Sequence, residues 1–530
     1  SDSFHETLDS ISNSALIGAR GNSGVIFAQF VNGLRSASNG QTSVSLDEFT
    51  KMALDSVDHT YASLSNPVEG TMITVIKSWA NTMFHNLPKI TNVKEFFHAA
   101  FQNAKVALEQ TKEQLKVLKQ NNVVDSGAMG FVLFLEGINS YFDGEVLEVF
   151  ESEEIELEDV HEFEGEINYR YCTEGLVDYQ NAVEADVKNA LNDLGDSVIT
   201  AFGTKMFSVH IHTNNPELVF DRLSSFGTIT SQKIDDMMMD VNLKNTKQKT
   251  VIVTDSIADI DPDILLDNNI VVIPLNINLE QITYLDKLSM NNEVLFDKIE
   301  TALEYPTTST PSIKYINDLF SRLLLRFDEI IVLTVSGALS ATHRVIKEES
   351  EKLIKKGKNI TVIDTKTNSV AEGLLVEKAA RLLKEGKTAD EIKEIIDESK
   401  QKSKILVCLE TFKYATMSGR LPKAVGKIGM ALRMRPIMSI DENGKGAAFG
   451  FAFSKKGITK KIVKYVEKEL ATNEIESYGL VHCLADDLVK EYEAIFTDII
   501  GKKPSYIANV SSATAIHSGV GTVAIGYIKK

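Results

Sequence analysis

The chain has 530 residues, more than one hydrophobic core usually holds, so several domains are expected. Its formal net charge of −18 argues against a nucleic-acid-binding protein, because such proteins carry a basic face. Three cysteines, the lack of a signal peptide and the lack of any run of about 18 apolar residues favour a cytoplasmic protein without a transmembrane segment.

Residues 1–144 are predicted to form an all-α helical bundle. Apolar residues recur at three- and four-residue spacing in 25–34 and 96–107, and strand-like runs are scarce. At 18–24 the stretch Gly-Ala-Arg-Gly-Asn-Ser-Gly precedes an apolar helix. A glycine-rich turn at a helix start can bind a phosphate, but this one lacks P-loop spacing, so spacing alone favours helix capping.

An acidic segment at 145–166 follows the bundle. A solvated linker or an exposed edge strand explains such a run of carboxylates more simply than a specific docking surface does. We therefore expect a domain boundary here.

Residues 167–247 are predicted to form a small α+β domain, with helices at 181–194 and from Pro216, and strands at 197–202 and 206–212. On a strand, His210 and His212 face the same side. Cys172 on another segment would complete a ligand set that suits Zn²⁺. Spacing alone leaves open the alternative of two surface histidines beside a buried thiol.

Residues 248–530 alternate strands and helices in a way that is typical of parallel α/β architecture. Strands are predicted at 250–253, 270–274, 330–335, 360–363 and 405–408. Helices are predicted at 313–327, 341–355 and 389–402.

Small hydroxyl and glycine residues follow two of these strands at 254–256 and 336–340, and they precede a helix at 307–312. The carboxyl ends of parallel strands form a ligand crevice, where hydroxyls and helix N-termini can bind a carboxylate or a phosphate. Any one of these loops can instead be a simple helix cap. Several such loops in one region favour a binding site.

The motifs of this region, in this order, resemble those of the DegV fatty-acid-binding family over residues 248–530. They are Thr-Asp-Ser at 254–256 with Asp259, Thr-Ser-Thr-Pro-Ser at 308–312, Ser-Gly-Ala-Leu-Ser-Ala-Thr at 336–342, Asp-Thr-Lys-Thr-Asn-Ser at 364–369, Ser-Gly-Arg-Leu at 418–421, Arg-Pro-Ile at 435–437 and His-Ser-Gly-Val-Gly-Thr-Val at 517–523. The resemblance implies two α/β lobes that enclose a long-chain fatty acid and hold its carboxylate at the mouth.

By that resemblance, Thr308 and Ser340 hydrogen-bond the carboxylate, and His517 lies near the same group. Arg420 matches the arginine of the family's Gly-Arg motif. Ala341 stands where the family usually has Gly, so the loop is expected to turn less tightly.

Two further stretches, Asn-Pro-Val-Glu-Gly-Thr-Met at 66–72 and Val-Asp-Ser-Gly-Ala-Met-Gly at 124–130, join the glycine-rich stretch at 18–24. Together they resemble the nucleotide-binding domain of dihydroxyacetone-kinase L subunits, and more closely the kinase component of bacterial fatty acid kinase. This resemblance implies ATP as a cofactor, bound by Asn22, Ser23, Gly24, Gly70, Thr71, Asp125 and Gly127.

The segments around Cys172 and around His210 and His212 resemble the middle domain of the same kinase component, which implies that these three residues bind Zn²⁺. Helical nucleotide domains of this type often pair, so a homodimer through the helical domain is also expected.

The kinase family holds a pair of Mg²⁺ ions with an Asp-rich motif upstream of the glycine-rich stretch. Only 17 residues precede Gly18, and Asp2 and Asp9 do not form that motif. Because the chain begins without Met, we expect a truncated chain rather than a domain that has lost catalysis. No catalytic residue is therefore assigned.

The leading hypothesis is a fusion that binds a fatty acid and presents it for ATP-dependent phosphorylation to an acyl phosphate. The first alternative is a non-catalytic fatty-acid carrier with a degenerate kinase-like scaffold. The second is a dihydroxyacetone-type small-molecule kinase, which would leave the motifs of residues 248–530 without a role.

Overall fold

Two compact units make up the structure, a computed structural model that describes residues 3–19, 21–64, 67–144 and 167–530. They are Ser1–Met237, the N-terminal unit, and Met238–Lys530, the C-terminal unit. The acidic segment 145–166, with the predicted linker, lies outside the described residues. None of the described helices is long and apolar enough to span a membrane.

The described part of residues 3–144 is helical, which confirms the predicted all-α bundle. Its helices are α1 (Phe4–Gly18), α2 (Gly21–Ala37), α3 (Leu46–Ser63), α4 (Met72–Asn86), α5 (Val93–Gln114), α6 (Lys116–Asn121) and α7 (Ser126–Asp143). Trp79 of α4 packs edge-to-face against Phe30, Phe49 and Phe131 in the core. These rings bury the large apolar surface that holds the bundle together.

A four-stranded antiparallel sheet follows in the same unit, with the order β2-β3-β1-β4. Its strands are β1 (Tyr171–Asp178), β2 (Gly195–Phe202), β3 (Met206–Thr213) and β4 (Thr228–Asp236), and its helices are α8 (Glu184–Leu191) and α9 (Pro216–Leu223). The next helix, α10 (Met237–Asn245), belongs to the C-terminal unit except for its first residue. The predicted α+β domain is therefore confirmed, although α8 is shorter than the helix predicted at 181–194.

The two faces of this sheet have different neighbours. On one face, Gly175 leaves room for Phe220 and Leu223 of α9, each of which lies 3.1 Å from where a Cβ of Gly175 would be. On the other face, Leu16 of α1 and Val25 of α2 form a small core with strand residues, including Ile199 and Ala201. The sheet thus supports the start of α2.

The first sheet of the C-terminal unit is parallel, as predicted, with the order β11-β10-β5-β6. Its strands are β5 (Thr250–Asp255), β6 (Ile270–Ile273), β10 (Glu329–Thr334) and β11 (Asn359–Asp364). A small antiparallel sheet, with the order β8-β7-β9, contains β7 (Asn276–Leu279), β8 (Ile282–Leu285) and β9 (Thr307–Ser309).

The second large sheet corrects the expectation of parallel architecture at 405–408. Its order is β14-β13-β12-β17-β15-β16, and only β15 and β16 pair in parallel. The strands are β12 (Ser403–Cys408), β13 (Arg435–Ile440), β14 (Gly446–Ala452), β15 (Ile475–His482), β16 (Ile507–Asn509) and β17 (Val523–Lys529). An apolar run indicates that a strand is buried, but it does not indicate whether the neighbouring strands are parallel or antiparallel. The alternation of strands and helices therefore did not predict the pairing of this sheet.

Eleven helices are described in the C-terminal unit beyond α10, and α15 lies between its two large sheets. They are α11 (Pro262–Asp267), α12 (Asn292–Thr301), α13 (Ile313–Leu324), α14 (Thr342–Ile354), α15 (Ser369–Lys384), α16 (Ala389–Ser399), α17 (Lys413–Met417), α18 (Lys423–Ala431), α19 (Lys455–Leu470), α20 (Asp486–Ile500) and α21 (Ser512–Ser518). α15 contacts β5 of the first sheet and β12, β15 and β17 of the second. The predicted two-lobed α/β fold is confirmed.

Candidate functional site

An apolar cavity of about 220 Å³ lies in the C-terminal unit. All four residues predicted to bind a carboxylate line it, namely Thr308, Ser340, Arg420 and His517. They come from four separate segments: β9, the loop before α14, the turn after α17, and α21. Much of the remaining lining is aliphatic and comes from both large sheets and their loops, including Ile257, Leu275, Val335, Val407, Met438, Val510 and Ala524.

Thr308 reaches the cavity because it lies on β9, opposite Ile277 of β7. The amide of Asn276 donates to the carbonyl of Thr310 at 2.8 Å and fixes the end of this short strand. Ser312, in the same hydroxyl-rich run, accepts the backbone N–H of Tyr315 and caps α13. Helix capping therefore explains part of the run, while Thr308 faces the cavity.

Ser340 precedes α14, and it both supports the start of this helix and lines the cavity. Its hydroxyl oxygen accepts the backbone N–H of Thr342 at 3.2 Å and lies 2.9 Å from the hydroxyl of the same residue. The loop is held from the other side by Ser336, which donates to the carbonyl of Gly444 at 2.8 Å. Both contacts fix the position of Ser340 at the cavity wall.

His517 lies near the end of α21, and its Nδ1 is buried without a hydrogen-bond partner among the described residues. Burial, together with the positive charge of Arg420, lowers the pKa of His517 to about 4. The imidazole is therefore neutral at neutral pH and can donate one N–H. Arg420 itself is exposed and donates to the carbonyl of Leu339 at 3.4 Å.

Six further polar residues line the cavity and were not predicted as site residues, and two of them, Asn368 and Ser518, have a buried side-chain oxygen without a described partner. These oxygens are Oδ1 of Asn368, which precedes α15, and Oγ of Ser518, which follows His517. Both lie in motifs at 364–369 and 517–523, but the sequence does not reveal which members of a polar motif face inward. Such an unpartnered oxygen can accept a hydrogen bond from a ligand or from water in the cavity.

Buried carboxyl groups hold the loops around this cavity. Asp255 accepts the backbone N–H groups of Ile257 at 3.0 Å and Val335 at 2.8 Å. Asp286 accepts the hydroxyl of Ser256 at 2.6 Å and the N–H of Ala513 at 3.2 Å. Burial raises the pKa of Asp255 to about 7 and that of Asp286 to about 6.

Asp259 belongs to the same network. It accepts the hydroxyl of Ser369 at 2.6 Å and the N–H of Ser511 at 2.7 Å, and its carboxylate lies 3.1 Å from Nζ of Lys287. Burial also raises the pKa of Asp259, and it raises that of fully buried Glu372 well above the ordinary value. The network joins loops that are far apart in sequence and so sets the shape of the cavity.

A second cavity of about 410 Å³ lies in the N-terminal unit. Three of the predicted nucleotide-binding residues line it, namely Ser23, Gly24 and Gly127. Around them are Phe27, Met72, Ser126, Gly130, Phe131 and Phe134. A Cβ at Gly127 would overlap the hydroxyl of Ser23, so this glycine lets α7 approach α2 closely.

The other four predicted nucleotide-binding residues do not line this cavity, but they lie at the helix starts around it. Asn22 is exposed on the first turn of α2, and Thr71 is the residue before α4. Gly70 has a φ of +89°, and its N–H donates to the hydroxyl of Thr74. Asp125 accepts the N–H of Ala128 at 2.7 Å and caps α7, while burial raises its pKa. Asn66 of the second motif lies outside the described residues.

The structure brings Cys172, His210 and His212 together on one face of the four-stranded sheet. Cys172 pairs with His212 across β1 and β3, and the potential ligand atoms of the three residues all lie within 4.8 Å of one another. Sγ of Cys172 is 3.9 Å from Nδ1 of His210. His210 is fully buried, so the alternative of two surface histidines is wrong for this residue. A thiol and two imidazoles at this spacing fit a Zn²⁺ ion.

These features define a multidomain protein whose C-terminal unit is a two-lobed α/β domain with an internal cavity. The family model described as "Uncharacterised protein, DegV family" matches residues 249–530, which is more than half of the chain. The chain therefore belongs to the DegV family. The model described as "DAK2 domain" matches residues 1–140, and a model for the middle domain of fatty acid kinase-like proteins matches residues 168–243. The resemblances predicted from the motifs are confirmed.

Individual relatives match mainly one part of the chain. A DegV domain-containing protein of Clostridium acetobutylicum is 26% identical over 287 residues, which cover 53% of this chain and 100% of that protein. An uncharacterized protein of Staphylococcus epidermidis is 30% identical over 250 residues, 45% of this chain and 45% of that protein, so less than half of that relative's length is spanned. A solved structure of a fatty-acid-binding DegV family protein from Thermus thermophilus is 22% identical to this chain, with a TM-score of 0.49. The match covers 53% of this chain and 100% of that one.

Proposed function

We propose that the C-terminal unit binds a long-chain fatty acid, with the carboxylate at Thr308, Ser340, Arg420 and His517. The observation that carries this proposal is that polar groups from four separate segments line a single, largely aliphatic cavity. The unpartnered polar atom of His517 supports it, because a buried hydrogen-bonding group without a partner is costly unless a ligand supplies one.

Each part of such a ligand has a physical counterpart in the cavity. Hydroxyls of Thr308 and Ser340, the neutral imidazole of His517 and the guanidinium of Arg420 can donate hydrogen bonds to a carboxylate. The aliphatic lining removes the acyl chain from water, which contributes about 0.8 kcal/mol for each methylene that is buried. The headgroup would thus set orientation, and the chain most of the affinity.

The N-terminal unit is proposed to bind ATP at the cavity lined by Ser23, Gly24 and Gly127, so that the chain takes part in ATP-dependent conversion of the fatty acid to an acyl phosphate. The match of residues 168–243 to a fatty acid kinase middle domain supports this. The described lining of the ATP cavity contains no carboxylate, so it does not fit a Mg²⁺ pair by itself. No phosphoryl-transfer step is therefore assigned to these residues.

Cys172, His210 and His212 are proposed to hold Zn²⁺, which with three protein ligands keeps a fourth coordination position for another group. The protein is proposed to act in the cytoplasm and to form a homodimer through the helical domain. A fatty-acid carrier without kinase activity is the alternative, and the experiments below separate the two.

The binding proposal is tested by loading the purified full chain with a radiolabelled C16 or C18 fatty acid and by mass spectrometry of extracted lipid. The double variant Thr308→Ala/Ser340→Ala is expected to lose most of its loading, because two donors to the carboxylate are removed. The variant Thr301→Ala/Thr472→Ala, which changes two exposed threonines, serves as the matched control. If the wild-type chain neither contains nor accepts an acyl chain, the proposal is wrong.

The kinase proposal is tested by incubating the loaded chain with ATP and Mg²⁺ in the presence of hydroxylamine. Acyl phosphates react with hydroxylamine to form hydroxamates, which mass spectrometry detects. Formation of the hydroxamate only with ATP supports the kinase. Because the chain lacks the Asp-rich motif of the kinase family, a loaded chain that forms none supports the carrier only when it also binds no ATP. Metal analysis of the wild type and of Cys172→Ser tests the zinc site, for which loss of bound metal in the variant is expected.

A further inference from the structure

Glu174 connects the cluster of Cys172, His210 and His212 to the glycine-rich turn at the start of α2. Its Oε1 accepts the backbone N–H of Gly21 at 2.6 Å, and the same oxygen lies 3.4 Å from Nδ1 of His210. Gly21 is the first residue of α2 and is followed by the proposed nucleotide-binding residues Ser23 and Gly24. One carboxylate oxygen therefore contacts both a cluster residue and the start of the helix.

The sheet fixes the position of this carboxylate. Glu174 lies two residues after Cys172 on β1 and directly opposite His210 on β3, so all three side chains share a face. The side chain of Glu174 is only 12% exposed. Its carboxylate is thus held between His210 of the cluster and the backbone N–H of Gly21.

The rest of α2 is attached to the sheet independently of Glu174. The amide of Gln29 donates to the carbonyl of Thr200, and the amide of Asn32 donates to the carbonyl of Phe202 at 2.9 Å. These contacts fix the body of the helix against β2. A change in the position or order of Glu174 would therefore act mainly on the first turn of α2.

We propose that Glu174 is a positioning residue that couples occupancy of the Cys172/His210/His212 cluster by a divalent cation to the geometry of the glycine-rich turn at the start of α2. This inference rests on the proposed zinc and nucleotide sites. A cation held by His210 restricts the imidazole and attracts the neighbouring carboxylate, so Glu174 is ordered beneath Gly21 before nucleotide arrives. Nucleotide binding then loses less conformational entropy, because the turn is already ordered. Binding of the cation and binding of the nucleotide therefore favour each other.

The test uses the full chain, stripped of metal and then supplied with Zn²⁺ alone. Hydrogen exchange of peptides that cover residues 18–30 reports the order of the turn, and a fluorescent ATP analogue reports nucleotide affinity. In the wild type, Zn²⁺ is expected to slow exchange in this segment and to tighten binding of the analogue about fivefold or more. Neither measurement depends on catalytic turnover.

The informative variant is Glu174→Gln, because the amide oxygen can still accept the N–H of Gly21 but lacks the charge that a nearby cation attracts. It is expected to bind one Zn²⁺ and to show less than about a twofold effect of the metal on nucleotide affinity. Asp196→Asn is the matched control, since Asp196 lies 3.4 Å from Nδ1 of His212 and has no described contact with α2. This control should retain the coupling.

Three results would overturn the inference: unchanged coupling in Glu174→Gln, loss of Zn²⁺ from Glu174→Gln, which would make Glu174 a ligand, or a wild-type turn whose exchange does not respond to Zn²⁺. Failure of the proposed function is recognised separately. A wild-type chain that binds no Zn²⁺ refutes the zinc site and the inference together. A chain that shows metal-dependent exchange but binds no ATP analogue refutes only the nucleotide site and supports the coupling to the turn.

Discussion

Replacement of Gly127 by Ala tests the close approach of α2 and α7 at the cavity of the N-terminal unit. A Cβ at this position would overlap Oγ of Ser23 and would lie 2.9 Å from Cβ of Ser23. Rotation of the Ser23 side chain moves its Oγ but not its Cβ, so a rotamer change cannot remove the strain. The helices must instead move apart.

The size of the effect follows from two opposing terms. Overpacking of a tight contact costs about 1–3 kcal/mol. Ala is favoured over Gly in a helix interior by up to about 1 kcal/mol, but Gly127 is the second residue of α7, where this gain is smaller. The overpacking term is therefore larger, and we expect Gly127→Ala to lower the free energy of unfolding of the N-terminal unit by about 1–2 kcal/mol.

Urea unfolding followed by tryptophan fluorescence measures this change, because Trp79 is the sole tryptophan of the chain and is buried in the bundle. Gly137→Ala on the same helix is the matched control, since a Cβ there meets nothing within 4 Å, and it should stabilise. In a Ser23→Gly background the nearest remaining atom to the new Cβ is Oδ1 of Asp125 at 3.4 Å, so the loss should largely disappear. If Gly127→Ala is as stable as the wild type, or loses as much in both backgrounds, the steric argument is refuted.

Three further predictions concern the C-terminal unit. His517→Leu should weaken fatty-acid binding about 10- to 100-fold through loss of a hydrogen bond to a charged group, with a smaller loss for His517→Gln; equal affinities in a direct binding titration would contradict the role of the imidazole. Because the pKa of His517 is lowered to about 4, the stability present above about pH 6.5 is lost as the pH falls. From about pH 7 to pH 5, the free energy of unfolding of the wild type should fall by about 2 kcal/mol more than that of His517→Leu. Urea-dependent labelling of the buried thiols of Cys408 and Cys483, relative to the unfolded chain, measures this difference, and equal losses would refute the prediction. Fatty acids shortened by two methylenes should bind about 15-fold more weakly, from about 0.8 kcal/mol per methylene, and an affinity independent of chain length would exclude burial of the tail.

Those parts of the fold that depend on local signals could be predicted from the sequence. Apolar spacing revealed the helices of the bundle, and continuous apolar runs revealed β5 and β10, which are buried in a parallel sheet. β12 carries the same kind of run, but its antiparallel partners β13 and β17 come from distant segments, and nothing near β12 reveals their direction. The short strand β9 reads Thr-Thr-Ser and has no apolar pattern, so it was predicted only as a loop.

The candidate site could likewise be predicted from the sequence only in part. The resemblance of the motifs to those of the DegV family grouped Thr308, Ser340 and His517, which line the same cavity. The raised pKa of Asp255 could not be predicted, because it results from burial by segments that are remote in sequence. Spacing showed that His210 and His212 share a face, but it could not show that α1 and α2 pack on that face of the sheet.

The central position of β17 has a consequence for biosynthesis. β12, β13 and β14 can form a meander, and β15 can pair with β16, but only β17 joins these two parts of the sheet. It is the last of the six strands to leave the ribosome. A translation product that stops before residue 523 would leave β12 and β15 as open strand edges, which invite pairing between molecules. Incomplete chains are therefore expected to aggregate or to be degraded, rather than to persist as partly active protein.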